Sequence, residues 1–262
     1  MTAPPDLPPG ALPGAIWHPS PNHGPRRGDA APDMVVIHYT AMADAASAIH
    51  RLCDPAAQVS AHYLIARDGT LIAMVAEDRR AWHAGHACWA GERDINSRAI
   101  GIELDNPGLD AAGLPVPFSA ALIARLEDLL ADIITRYAIP PSRVLGHACV
   151  APGRKHDPGP AFDWRRLAGQ GLAIWADPLR ATFEDMTEAR AREFRAVAMA
   201  IGIDAGEGAD WDHRALAAWS ALAARFLPAL AGRSRPSPAA VAHLARLATE
   251  YPGTPPGAGT DT

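Results

Sequence analysis

Two histidines and two acidic residues, far apart in a chain of 262 residues, stand out for their settings. His38 closes a short apolar run, Glu103 lies on an alternating segment, His147 follows a second apolar run, and Asp157 sits in the loop after it. Two imidazoles and one carboxylate can hold Zn²⁺ and leave a fourth tetrahedral position for water, the ligand count of a catalytic site rather than a closed structural one. A single carboxylate leaves the bound dication net positive, so that it polarises a carbonyl and lowers the pKa of water towards ~7. Cys149, two residues after His147, and the pair His83 and His86 at i, i+3 are rival ligands. No Cys-x-x-Cys or His-Glu-x-x-His accompanies either, so both rank below. His18, His23, His50, His213 and His243 have no partner nearby in sequence and read as ordinary exposed or satisfied histidines.

The segments that must position these groups read as an α/β architecture. Met34-Val35-Val36-Ile37 is the pattern of a strand buried on both faces, with polar groups at its carboxyl end, where open α/β sheets bind ligands. Ala43 to Leu52 predicts a helix, and Ser60 to Ala66 predicts a strand that turns at Arg67-Asp68-Gly69-Thr70 into a second strand through Val75. Ala81 to Ser97 has no clear period and reads as a long functional loop. Ile100, Ile102 and Leu104 fall on one face of the next strand, and Glu103 with Asp105 on the other. Ser119 precedes a helix with Leu122, Leu126, Leu129, Ile133 and Tyr137 at helical spacing; Arg143 to Leu145 is then a strand leading into Gly146-His147. Alternation with hairpins predicts a mixed central sheet flanked by helices.

Three Ala-rich helices, at about 188–200, 212–226 and 237–250, predict a small C-terminal three-helix domain. The expected organisation is a domain over 1–178, a helical domain over 179–251, and a disordered tail over 252–262. The first 32 residues, rich in proline, should wrap over a core rather than build one, with order beginning at Met34.

Composition removes several function classes. Lys and Arg number 24 against 29 Asp and Glu, a formal charge of −5, so no global positive field exists to hold nucleic acid. No apolar run approaches the ~20 residues of a membrane span, and no secretory signal is visible near Met1, which reads as cytoplasmic. Three widely spaced cysteines argue for reduced thiols rather than a disulfide framework.

Several blocks occur together and in order: Val35-Val36-Ile37-His38-Tyr39-Thr40, Val59-Ser60-Ala61-His62-Tyr63-Leu64-Ile65, Arg67-Asp68-Gly69-Thr70, Ala81-Trp82-His83-Ala84-Gly85, Ile100-Gly101-Ile102-Glu103, and Gly146-His147 through Lys155-His156-Asp157-Pro158-Gly159-Pro160. From about Ile16 to Leu167 the chain resembles the zinc-dependent N-acetylmuramoyl-L-alanine amidases of the type-2 amidase family, related to the peptidoglycan recognition proteins. The resemblance implies a mixed-sheet α/β fold, one zinc ion per chain, and cleavage of the amide between N-acetylmuramic acid, or its anhydro form, and L-Ala of the stem peptide. Peptidoglycan or soluble anhydro-muropeptides are the implied partners. A non-catalytic peptidoglycan-binding or sensing protein with the same fold is the alternative.

Carried over by position, His38, His147 and Asp157 match the family's zinc ligands, Glu103 its catalytic acid and Lys155 its catalytic lysine. Lys155 lies two residues before Asp157, so in an extended loop both side chains point to one side. His156 between them competes for the metal on paper, but adjacent side chains in an extended segment diverge. Tyr39, His62, Trp82, His83, Arg98 and Arg154 are candidate substrate contacts, the arginines as forks for a stem-peptide carboxylate. Where family members often carry Ser-Asp after the second zinc histidine, this chain has Ala148-Cys149, removing a side chain that can orient His147. The C-terminal helices more loosely resemble the small peptidoglycan-binding-like domain of some wall-associated relatives, which points to a periplasmic or wall-associated alternative to the cytoplasm.

Overall fold

The computed structural model describes residues 7–28 and 31–253. Its strands are β1 (Ile16–Trp17), β2 (His23–Pro25), β3 (Met34–Tyr39), β4 (Tyr63–Ile65), β5 (Leu71–Ala73), β6 (Arg79–Ala81), β7 (Ala99–Leu104) and β8 (Val144–Gly146). Its α-helices are α1 (Ala45–Cys53), α2 (Ile95–Arg98), α3 (Ala120–Arg136), α4 (His147–Val150), α5 (Trp164–Gly169), α6 (Arg180–Glu184), α7 (Ala191–Ile201), α8 (His213–Phe226) and α9 (Pro238–Glu250). The main sheet runs β1-β5-β4-β7-β3-β8, with β2 and β6 forming a separate antiparallel ribbon. Only the β4–β5 hairpin is antiparallel within the main sheet, so the sheet is mixed and mostly parallel.

Alternation along the strands divides the sheet into two faces with different tasks. Val35, Ile37, Ile100, Ile102 and Leu104 pack against Leu122, Leu126, Leu129 and Ile133 of α3. Each such side chain contributes about 1.5–3 kcal/mol on burial, so this layer dominates the stability of the sheet. Ser119 caps α3 by accepting from the Leu122 N–H at 3.2 Å, as its position before the periodic run implies. Gly69, at φ +88°, makes the turn between β4 and β5, where a side chain would come within 3.0 Å of the Ala121 carbonyl oxygen at the start of α3. The opposite face carries Met34 and Val36, packed with Ala84, Trp89 and Val150, and beyond them the polar ends of β3 and β7.

Several local expectations are corrected. Order does not begin at Met34: Ile16 and Trp17 pair in parallel with Ile72 and Ala73 as an edge strand, because Trp17 has core to cover between flanking prolines. The segment after Ala81 ends in the short helix α2, and α5 and α6 appear where no helix was expected; at four to six residues each they are too short to show a period. Of the stretch 252–262, Gly253 is tied down by a 2.9 Å hydrogen bond to the Ala200 carbonyl, and residues 254–262 lie outside the described residues.

The three C-terminal helices lie close to their expected positions, and the core between them reaches into the sheet domain. Phe194, Trp219, Leu222 and Leu244 share one buried cluster with Ala148 and Cys149 of α4 and with Ile174. The small side chains after His147 let α8 approach. Arg225 of α8 is buried with its guanidinium 3.3 Å from the Trp164 ring centroid, and it donates to the Val144 carbonyl of β8 at 3.2 Å. Among the described residues no helix is long and apolar enough to cross a membrane.

Candidate active site

Register alone brings the first pair together. In the parallel pairing of β3 with β7, His38 lies opposite Glu103, and in that of β3 with β8, Ile37 lies opposite Gly146. His147 follows Gly146 directly at the start of α4, so it emerges beside His38 at the carboxyl end of the sheet. Asp157 is returned to this point by its own carbonyl, which accepts from the Ala148 N–H at 2.9 Å. Pro158 packs over Gly146 so closely that a Cβ there would lie 2.7 Å from its ring. The result is a triangle: His38 Nδ1 is 2.8 Å from His147 Nδ1 and 3.2 Å from Asp157 Oδ2, and His147 Nδ1 is 3.0 Å from Asp157 Oδ2. All three residues are buried, and among the described residues they are the one group of three or more such side chains with ligand atoms within 4.8 Å of one another.

Proton accounting tests whether a metal fits this triangle. His147 Nε2 lies 3.2 Å from the Ala84 carbonyl oxygen, which can only accept and is nearer than the Arg154 guanidinium at 3.4 Å; a hydrogen on that nitrogen leaves Nδ1 presenting a lone pair to its neighbours. His38 Nε2 lies 3.0 Å from His83 Nδ1, and a hydrogen on His38 Nε2 again leaves Nδ1 as a lone pair. Burial, reinforced by His147, pushes the His38 pKa down to about 4 and favours the neutral ring. Burial opposes charge on Asp157 too, yet its place between the two histidine rings holds its carboxyl well below the usual carboxylate range. Two lone pairs and a carboxylate thus face one another, which in a buried setting calls for a cation. Zinc ligands at about 2.0–2.2 Å in a tetrahedron stand about 3.3 Å apart, close to the spacing observed.

His83 is seated with care. Its ring lies flat over Gly101, where a Cβ would fall 2.4 Å from His83 Cγ, and its backbone N–H, with that of Ala84, donates to Asn96 Oδ1 at 3.1 and 2.8 Å. His62 is fully buried behind it, accepting from the Gly101 N–H at 2.9 Å through Nδ1 and donating from Nε2 to the Arg79 carbonyl at 3.1 Å. The expectation that His62 contacts substrate is therefore corrected: it supports the strand carrying Glu103 and does not reach the cavity.

A cavity of about 330 Å³ opens over the triangle, lined by Glu103 and by Tyr39, Trp82, His83, Arg154 and Lys155. Glu103 Oε2 is buried without a hydrogen-bond partner. Burial first, and the charge of Asp157 second, push its pKa up to about 8, against the pull of Lys155. Arg154 is already engaged: its guanidinium donates to the His86 carbonyl at 2.8 Å and to that of Ala84, clamping the loop that orients His147. Arg98 is a second correction. It lies at the far end of β7, paired with Glu92 at 2.6 Å and with Asp33, away from the cavity. Neither rival metal set forms: Cys149 faces the C-terminal helices, and His86 is exposed while His83 faces His38.

Sequence reasoning passed over Asn96, the Ala84 carbonyl and the role of Gly101. A glycine inside an alternating strand was the available signal, since it marks a place where another group approaches the backbone. The Ala84 carbonyl also supplies the orienting contact to His147 that Ala148 and Cys149 do not.

Comparison with known proteins gives consistent matches. The sequence profile of the N-acetylmuramoyl-L-alanine amidase family, Amidase_2, matches residues 28–160. The N-acetylmuramoyl-L-alanine amidase AmiD of Escherichia coli is 43% identical over 160 residues, which is 57% of this chain and 57% of that protein. The 1,6-anhydro-N-acetylmuramyl-L-alanine amidase AmpD of Citrobacter freundii is 34% identical over 166 residues, 57% of this chain and 86% of its own. Among solved structures, E. coli AmiD with the substrate anhydro-N-acetylmuramic acid-L-Ala-D-gamma-Glu-L-Lys gives a TM-score of 0.75 at 34% identity, covering 86% of this chain and 93% of that one. AmpDh3 of Pseudomonas aeruginosa gives 0.72 at 28% identity, covering 92% and 98%.

Proposed function

Since the chain belongs to the N-acetylmuramoyl-L-alanine amidase family, matched over residues 28–160, we propose that it is a zinc hydrolase that cleaves the amide between N-acetylmuramic acid, or its anhydro form, and L-Ala of the stem peptide. The observation that carries this reading is the convergence of His38, His147 and Asp157 beside a cavity floored by Glu103. His38, His147 and Asp157 would hold the ion. When bound, it supplies Lewis acidity that polarises the scissile carbonyl and makes water more acidic.

The chain's own groups do the rest. The Ala84 carbonyl and His83 keep hydrogens on the far nitrogens of His147 and His38, so the near nitrogens stay available. Glu103, ionised next to a bound cation, takes the proton of the attacking water at its carboxylate. Burial favours its protonated form, so it then passes that proton to the departing amine. The Lys155 ammonium stabilises the oxygen that gains charge as the carbonyl is attacked. Trp82 and Tyr39 line the cavity and pack on sugar or peptide.

The test is product analysis. Zinc-loaded protein incubated with an anhydro-muramyl peptide releases anhydro-N-acetylmuramic acid and a peptide beginning with L-Ala, read by mass spectrometry, and a chelator abolishes the release. Metal-replete protein that binds both intact sacculi and soluble anhydro-muropeptides yet cuts neither is instead the binding protein of the alternative reading.

A further inference from the structure

The loop from β6 to α2 carries His83 and the Ala84 carbonyl, the two groups that touch the far nitrogens of His38 and His147. A surface loop holds such groups firmly only where a buried side chain anchors it. Of the described residues between Trp82 and Asp94, Ala84 and Trp89 are the buried ones, which makes the Trp89 indole the large anchor of this loop. Its ring shares a buried cluster with Ala84 itself, with Val36 of β3, Leu145 of β8 and Val150 of α4. Trp89 thus packs with the residue whose carbonyl faces His147 and with the short helix that begins at His147. The Cys88 N–H, next to it, donates to the Val150 carbonyl at 2.7 Å.

The other side of the indole meets the C-terminal helices. Gly202, directly after α7 and at φ +109°, presents bare backbone to the ring, and a Cβ there would overlap it. A glycine in the left-handed region ends many helices, so that conformation alone carries no meaning. The indole seated on it is what no rule of helix capping requires. Ala90 fixes the same contact from the backbone, its N–H donating to the Gly202 carbonyl at 2.8 Å. This end of α7 is itself firmly held: Ala198 and Ile201 lie in the buried cluster with Trp219 and Leu244, and the Gly253 N–H donates to the Ala200 carbonyl at 2.9 Å.

We propose that Trp89 is a positioning residue: seated on Gly202, it passes the packing of the C-terminal helices to the Ala84 carbonyl, and so sets how firmly His147 is held for the metal. The inference rests on the amidase reading above for the identity of the ion. The C-terminal helices thereby support the metal site while touching neither metal nor substrate. Coupling of this kind is reciprocal, so zinc in turn tightens the seat of Trp89.

The experiment measures zinc affinity of the full chain by chelator competition in the wild type, W89A, W89F, G202A and the double variant W89A/G202A. W89A and G202A each weaken zinc binding by about tenfold, the scale on which lost support behind a ligand is felt. W89F keeps an aromatic ring on the glycine and recovers most of the loss. The double variant is no weaker than W89A, because the methyl group added in G202A acts by displacing the indole, whereas independent effects would multiply. Thermal melts without zinc report lost packing separately. Variants that melt earlier yet bind zinc as the wild type does, or a double variant whose effects multiply, overturn the inference and leave the amidase reading intact. Where W89A does not fold, hydrogen exchange of the wild type decides: zinc slows exchange of the Ala90 amide, and an exchange rate that zinc does not move refutes the coupling. If the wild type binds no zinc, the amidase reading fails, and nitrogen NMR of the His147 ring still tests the positioning. A hydrogen held on Nε2 in the wild type and shared between both nitrogens in G202A supports it, and the same tautomer in both refutes it.

Discussion

Buried ionisable groups occur in two regions of this molecule and behave differently in each. At the carboxyl end of the sheet, His38, His147, Asp157 and Glu103 face one another across a cavity, and each histidine has its far nitrogen occupied. Among the C-terminal helices, the buried groups do not converge on one another, and Arg195 pairs instead with the exposed Asp212 at 3.0 Å. Arg225 is spread over the Trp164 ring, Arg195 caps the carbonyls of Ala205 and Asp210, and both ring nitrogens of His243 lack partners. Burial of a charge-bearing side chain is therefore no mark of function here. Convergence on a cavity, with a second tier of contacts behind, is what separates the catalytic arrangement from packing.

Three experiments probe that contrast, the first with the largest effect. E103Q keeps the shape of the cavity and removes the proton carrier, so kcat falls by about 10²–10⁴-fold while one zinc per chain is retained, measured by product release alongside metal analysis. Parallel loss of metal in E103Q would place Glu103 among the ligands and dissolve the distinction drawn between them. H83A strips the contact behind His38 and weakens zinc binding by about 10–100-fold in a chelator competition. H83N, whose side-chain carbonyl can accept from His38 Nε2–H, recovers part of that loss. An affinity indifferent to H83A shows that the ring merely fills space. The smallest effect belongs to the helices. Burial, helped by Arg246, lowers the His243 pKa to about 4 from the ordinary 6.5. The unfolded chain then binds the proton more readily, so the stability this histidine permits above pH 6.5 is lost as pH falls towards 4. H243L removes that loss, which thermal melts across this pH window detect as a flatter profile; unchanged acid sensitivity would mean that other groups govern it.

What could be read beforehand follows the range of the interactions involved. Alternation along 100–105 placed Glu103 on the face away from the leucine core, and the end of the Met34 run placed His38, because strand periodicity is local. α3 was visible through its period and its serine cap. Amidase chemistry was legible in the motif blocks. The seat of His83 was not, since it depends on Gly101 and Asn96 meeting a segment without period. Arg98 was misplaced because spacing says nothing of which end of a strand a side chain serves, and Asp33 and Glu92 claim it there. The docking of Trp89 onto the end of α7 joins distant parts of the chain and announces itself only once Gly202 meets the ring.

The hold of Arg225 on the Val144 carbonyl ties α8 to the strand that leads into His147. Any lineage that exchanged these helices for a different accessory fold would also have to rebuild the underside of that strand. In relatives that carry both, sheet and helices are thus expected to travel as one piece, and recombination between such relatives should tolerate crossovers before Ile16 far better than at the junction near Pro178.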